Sequence, residues 1–238
     1  MHNLVPQFIL QNLAEGKLNG RFPAVTLFVD IHGFTPLTTA LMQHGKEGAE
    51  LIADVLAELF QPLVKIVYRH DGAISGFAGD SFKAIFSFDN APMPHLIYER
   101  AVSAGWEIRD HMVKHATYAT PFGAFNFQVK ASIADGEVIW GIWQAAATHK
   151  IDETDQRNAY YFEGEAFSRC LQADSFAAAG DLLLTDEVYT AVSRHRTLTA
   201  YPIDNYWRVQ TYAHSPSGIG ISNKKQSTKN SQRKTVNE

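Results

Sequence analysis

FVDIHGFTPL, residues 28–37, sets an aspartate between an apolar run and a glycine-led helix start. The run, AVTLFVDI at 24–31, is rich in β-branched and aromatic residues and bounded by Pro23 and Gly33, which predicts a buried strand. From Pro36 to about Tyr68 the apolar positions recur mostly at steps of three or four, the spacing of a helix, with Gly45 and Gly48 weakening its middle. A strand that ends in an acid and turns through glycine into a helix brings a carboxylate and free backbone N–H groups to one place. That combination suits a metal ion and a phosphate.

Outward from this stretch the chain alternates between the two element types. HDGAISGFAGDSFKAIFSF predicts a β-hairpin with arms 73–78 and 81–88 about Gly79–Asp80. Residues 91–117 have helical spacing, and FNFQVKASIADGEVIWGIW predicts strand, turn at Asp135–Gly136, and strand. Residues 144–159 are polar and predict an exposed loop or arm. An alanine-rich helix over 165–179 ends at Gly180, DLLLTDEVY predicts strand then helix, and YWRVQTYAH a last strand. Upstream, residues 4–15 are helical in spacing, and GKLNGRFP is a polar connection. The boundaries expected are a helix and linker at 1–20, a domain at 21–214, and a flexible polar tail or linker at 215–238, where Lys224, Lys225, Lys229, Arg233 and Lys234 gather. Mixed α and β with several hairpins predicts an α+β fold with a largely antiparallel sheet covered by helices.

The totals narrow the function classes. The 238 residues are 45% hydrophobic and 19% charged, enough for one ordinary core, and the net charge of −4 offers no basic field for nucleic acid or an anionic membrane. No apolar run approaches the roughly 18–20 residues of a membrane span. The single cysteine, Cys170, forms no intramolecular disulfide and fits a reducing compartment, so a cytoplasmic location is expected.

If the strand of Asp30 neighbours the hairpin of Asp80, both carboxylates lie at one sheet edge. With the Ile31 carbonyl they make an all-oxygen site for Mg²⁺ or Mn²⁺. A pair of such ions ~3.5–4 Å apart activates an attacking oxygen and holds leaving phosphates. The backbone of His32, Gly33, Phe34 and Thr35, at a helix N-terminus, is the candidate phosphate cradle. The same residues also serve, with no ligand at all, as a tightened hairpin turn and a helix start. Other groups point to structure: His111 and His115 lack a third metal ligand, Cys170 reads as a small core residue, and Trp140 and Trp143 as core or interface packing. Lys83, just past the hairpin, is expected on an exposed face.

These residues carry a family resemblance. FVDIHGFTPLT resembles the strand–turn–helix of class III nucleotidyl cyclases, the adenylyl and guanylyl cyclases, and GFAGDSFKAIF resembles their second metal motif. SIADGEVIWG and GEAFSRCLQADSFAAAGDLLLTDEVY are similar to later elements, so the likeness runs from about residue 22 to 212. It implies a ferredoxin-like βαββαβ core, head-to-tail pairing with sites at the interface, and formation of a 3′,5′-cyclic nucleotide and pyrophosphate. It also implies two divalent ions on Asp30 and Asp80, with ATP the expected nucleotide. The departures are specific. Where the family has a purine-contacting lysine stands Gly76; the second purine position is Tyr161. The ribose-orienting asparagine is replaced by Ser168, and the transition-state arginine by Gln172. Neutral Gln172 supplies no charge to a developing oxyanion, and Arg169 has the wrong helical spacing to stand in. With the metal half present and the purine half absent, the chain most resembles the first, metal-binding domain of tandem soluble adenylyl cyclase-type proteins. The partner implied is a second cyclase domain, in trans or in a longer chain, or a second copy of this one. The alternative is a pseudocyclase acting as a nucleotide-sensing or dimerising module.

Overall fold

Strand β1 (Asn19–His32) lies inside an eight-stranded sheet, with neighbours on both sides. In the computed structural model the described residues are 5–89, 93–144 and 158–213. After α1 (Gln7–Ala14) and β1 come α2 (Phe34–Leu41), a 3₁₀ turn at Met42–His44, and α3 (Gly45–Arg69). The hairpin β2 (Ala73–Ala78) and β3 (Ser81–Ser87) leads to α4 (Pro94–Lys114), the small hairpin β4 (Thr117–Thr120) and β5 (Gly123–Asn126), and the long β6 (Gln128–Gln144). The rest is β7 (Asn158–Glu163), α5 (Glu165–Asp174), β8 (Leu182–Thr185), α6 (Asp186–Ser193), β9 (Leu198–Ile203) and β10 (Tyr206–Tyr212).

The sheet order is β2-β3-β1-β6-β8-β10-β9, with β7 also paired to β6. β6 and β8 run parallel and the other described pairs run antiparallel. Within it β1, β2, β3 and β6, with the helices α2–α3 and α4 between them, form the expected βαββαβ core. Alternation along β1 divides two packed faces, because successive side chains point to opposite sides. Val25, Leu27, Val29 and Ile31 join Val55, Leu59 and Leu63 of α3, Ile108 of α4 and Val188 of α6 in the larger core. Phe22 and Ala24 face the other way, into a second core with Ile9 of α1, Trp140 of β6 and Phe167 of α5. Each large apolar side chain so buried contributes about 1.5–3 kcal/mol against its exposed state.

Several expectations are corrected. Asp135–Gly136 is not a turn: β6 is one strand, and its residues 128–141 pair without interruption with 19–32 of β1. The glycine serves close packing instead. Gly136 has φ +152°, and a Cβ there would lie 3.0 Å from the Ala166 amide nitrogen, where α5 meets the strand. The polar connection GKLNGRFP is largely strand, because Asn19–Pro23 extend the same ladder and Phe22 is buried. The helix expected over 165–179 stops at Asp174. Residues 175–181 fold back to the sheet, where Gly180 N–H donates to the Val129 carbonyl at 2.8 Å. Lys83 is not on an exposed face: it is half-buried, with its ammonium 5.4 Å from the Phe167 ring centre. The β4–β5 hairpin and β9 had no clear signal in the sequence. The expected arm lies mostly, and the tail wholly, outside the described residues. Among the described residues no helix is long and apolar enough to cross a membrane.

Candidate functional site

The hairpin and β1 bring the two acids to neighbouring strands. Asp30 stands opposite Ser81 in the antiparallel β1–β3 ladder, and Asp80 is the residue before Ser81 in the Gly79–Asp80 turn. The main chains join there, since Ile31 N–H donates to the Asp80 carbonyl at 2.9 Å. Ser81 Oγ tightens the turn by donating to the Ala78 carbonyl at 2.9 Å. The Ile31 side chain is buried in the core and its N–H is used, so its carbonyl is the group it has left to offer a ligand.

The chain then turns from β1 into α2. His32 is exposed at the end of the strand, and Gly33 caps the helix with φ +103°. Only glycine fits here: a Cβ would lie 2.3 Å from the Asn126 carbonyl oxygen. No side chain caps the α2 N-terminus, so its first N–H groups are left without a side-chain acceptor. Thr35 is exposed, whereas Phe34 packs against the core.

Two further residues converge on Asp30 that sequence reasoning missed. Lys130 faces Asp30 across the β1–β6 ladder, with Nζ 3.3 Å from Asp30 Oδ2. The same ammonium donates to Asp174 Oδ2 at 2.7 Å, at the end of α5. Burial disfavours the charge on Lys130, but the hydrogen bond and charge of Asp174, with the charge of Asp30, outweigh it and hold its pKa above the usual value. Burial pushes the Asp174 carboxyl above the ordinary Asp range, against the pull of Lys130. The available signal was a lone charged residue, Lys130, in the strand-like stretch VKASIA.

The four departing positions lie on other elements. Gly76 is on β2, and a Cβ there would meet nothing within 4 Å. Tyr161 on β7 lays its ring over Gly141, its partner on β6. Ser168 and Gln172 are exposed on α5, where the Ser168 hydroxyl donates to its own helix at the Gly164 carbonyl, 3.2 Å away. Arg169 is occupied elsewhere: its guanidinium reaches the Asp135 carbonyl at 3.1 Å and pairs with Glu187. Asp135 also accepts from the Tyr98 hydroxyl at 2.8 Å. Burial first, and this contact second, push that phenol well above the usual range.

Among the described residues no three His, Cys, Asp or Glu side chains cluster as metal ligands. Two carboxylates and a carbonyl nonetheless fit a hard cation of the Mg²⁺ type, which commonly takes one or two carboxylates and fills its shell with phosphate and water.

This architecture is the nucleotidyl cyclase catalytic-domain fold. The chain overlays the adenylyl cyclase CyaB from P. aeruginosa with a TM-score of 0.61, at 20% identity, covering 85% of this chain and 99% of that one. The guanylyl cyclase Cya2 gives 0.60 at 19% identity, covering 82% and 95%. The guanylate cyclase domain of RhGC from Catenaria anguillulae, in complex with GTP, gives 0.58 at 16%, covering 82% and 100%. In sequence, the chain is similar to adenylate cyclase type 10 of Mus musculus, 25% identical over 175 residues, 73% of this chain and 10% of that protein. The protein of the same name from Oryctolagus cuniculus is 25% identical over 177 residues, with the same coverage. The chain thus spans about a tenth of the length of the curated relatives it matches. No protein-family model matches it.

Proposed function

We propose that this chain is a class III nucleotidyl cyclase domain that holds a divalent metal–nucleoside triphosphate complex, with ATP the expected nucleotide. In this reading it supplies the metal half of a site completed by another cyclase domain. The observation that supports it most is the meeting of Asp30 and Asp80 at one sheet edge, beside the uncapped N-terminus of α2. Asp30, Asp80 and the Ile31 carbonyl would hold Mg²⁺ or Mn²⁺, two ions in the full site. When bound, such ions neutralise the triphosphate and lower the pKa of the attacking ribose hydroxyl.

The chain's own residues bind and orient. The N–H groups that begin α2 favour phosphate oxygens through their direction and the helix dipole. The β1–β3 ladder and the Ile31 N–H to Asp80 carbonyl hydrogen bond fix the backbone that carries both acids. Among the described residues, the four positions that would serve the purine and the transition state supply no equivalent group. Gly76 has no side chain, Ser168 is bonded to its own helix, Gln172 is neutral, and Arg169 is held by Asp135 and Glu187. A different cyclase domain, in trans or in a longer chain, would bring those groups, since a second copy of this chain has the same Gly76, Tyr161, Ser168 and Gln172. The pseudocyclase alternative draws no support from the relatives described above, all named as cyclases.

The test is direct. ATP with Mn²⁺ should raise the melting temperature of the purified chain by several degrees, and Asp30→Ala should abolish that shift. Cyclic AMP formation by the isolated chain should stay at background. Robust turnover lost in Asp30→Ala would refute the incompleteness, and no shift at millimolar ligand would refute nucleotide binding.

A further inference from the structure

The ion-pair chain Asp30–Lys130–Asp174 is not explained by hairpin, helix start or core. Its three side chains are only 24%, 22% and 12% exposed, so water screens them weakly. Asp174 Oδ2 takes the shorter contact with the ammonium, 2.7 Å against 3.3 Å for Asp30. Asp174 Oδ1 is buried with no hydrogen-bond partner among the described residues. One ammonium therefore serves two carboxylates and leaves acceptor capacity on one of them. A divalent cation at Asp30 places like charge beside that ammonium, and at such short range the repulsion is large enough to set affinity. Lys130 then competes with the cation for Asp30 unless another anion keeps it.

We propose that Asp174 is a positioning residue that keeps the Lys130 ammonium from closing on Asp30, leaving Asp30 able to take up a divalent cation. The proposal rests on the reading of Asp30 and Asp80 as metal carboxylates. With Asp174 present, Lys130 retains a short, charged hydrogen bond when the cation arrives. The vacant Oδ1 lets Asp174 accept a second N–H of that ammonium as Asp30 turns to the cation. Without Asp174, each cation bound at Asp30 breaks the ion pair on which Lys130 then depends.

The test is a Mn²⁺ titration of the full chain without nucleotide, followed by the electron paramagnetic resonance of free Mn²⁺. The proteins compared are wild type, Asp30→Asn, Asp174→Asn, Lys130→Gln and the Asp174→Asn/Lys130→Gln double variant. Asp174→Asn is expected to weaken Mn²⁺ binding roughly tenfold, the scale of one charged hydrogen bond. In the Lys130→Gln background the same substitution should change it less than about twofold, because the two residues act as one unit. Equal losses in both backgrounds would make Asp174 a general negative charge and overturn the proposal; no loss in either would do the same. Lys130→Gln alone should bind Mn²⁺ at least as tightly as wild type. Weaker binding there overturns the proposal even if Asp174→Asn fails to fold. If Asp30→Asn binds Mn²⁺ as wild type does, the metal reading itself fails, an outcome distinct from a normal Asp30 effect with no coupling between Lys130 and Asp174.

Discussion

At Cys170 a thiol is fixed among buried polar groups between α5 and the sheet. Its Sγ donates to the Thr26 carbonyl at 3.2 Å and lies 3.1 Å from Thr26 Oγ1, while Ser132 Oγ donates to the Cys170 carbonyl at 2.8 Å. Thr26 also donates to the Ala166 carbonyl at 2.9 Å, so α5 is docked by hydrogen bonds as well as by packing. Burial pushes the thiol from its ordinary 9.0 up to about 11, against the smaller pull of the Thr26 hydroxyl and the other hydrogen bonds. The folded value lies above the unfolded one, so this contribution to stability is complete below pH 9 and is lost as pH rises through about 11. A rise from 9.0 to about 11 corresponds to roughly 2–3 kcal/mol. Urea denaturation between pH 8 and 11 should therefore show a fall in stability that Cys170→Ala makes distinctly shallower. An unchanged slope in the variant would mean other groups carry the fall. At pH 8 the native thiol should react with thiol reagents no faster than the chain opens.

At the scale of elements, the start of α2 makes the most local demand on sequence. Gly33→Ala combines a left-handed backbone with a Cβ aimed at the Asn126 carbonyl. It should cost about 2–3 kcal/mol in a denaturation midpoint, the usual scale for strain at such a site. A neutral substitution would show that the backbone there relaxes freely. This turn was legible in the sequence because its requirements are local: an apolar run, an acid, a glycine and a helical period. The same holds for the Gly79–Asp80 hairpin, whose arms alternate about a two-residue loop. β6 was not legible, because Asp135–Gly136 has the chemistry of a turn and only fourteen consecutive pairs with a distant β1 keep it extended. The site divides in the same way. Asp30 and Asp80 announce themselves through their neighbours in sequence, whereas Lys130 and Asp174 meet Asp30 only through strand register and the docking of α5.

At the scale of the whole molecule, the sheet is covered unevenly. Helices α2, α3, α4 and α6 contribute to the larger core, while the opposite face has α1 at one end and α5 at the other. The first helix is therefore a structural part of the cover. Phe8 stands edge-on to Trp140 at 5.2 Å between ring centres and packs with Phe22 at 5.3 Å, and Ile9 is only 2% exposed. α1 has eight residues, too short to hold a helix in water by itself, so its order depends on this packing. Ile9→Ala should then lower the stability of the entire domain by about 2–4 kcal/mol, as a buried aliphatic truncation does. Urea unfolding followed by Trp140-sensitive near-ultraviolet circular dichroism and by far-ultraviolet signal should shift together, in one transition. A loss below about 0.5 kcal/mol, or an early separate transition in the near-ultraviolet alone, would make α1 an appendage to a domain that stands without it.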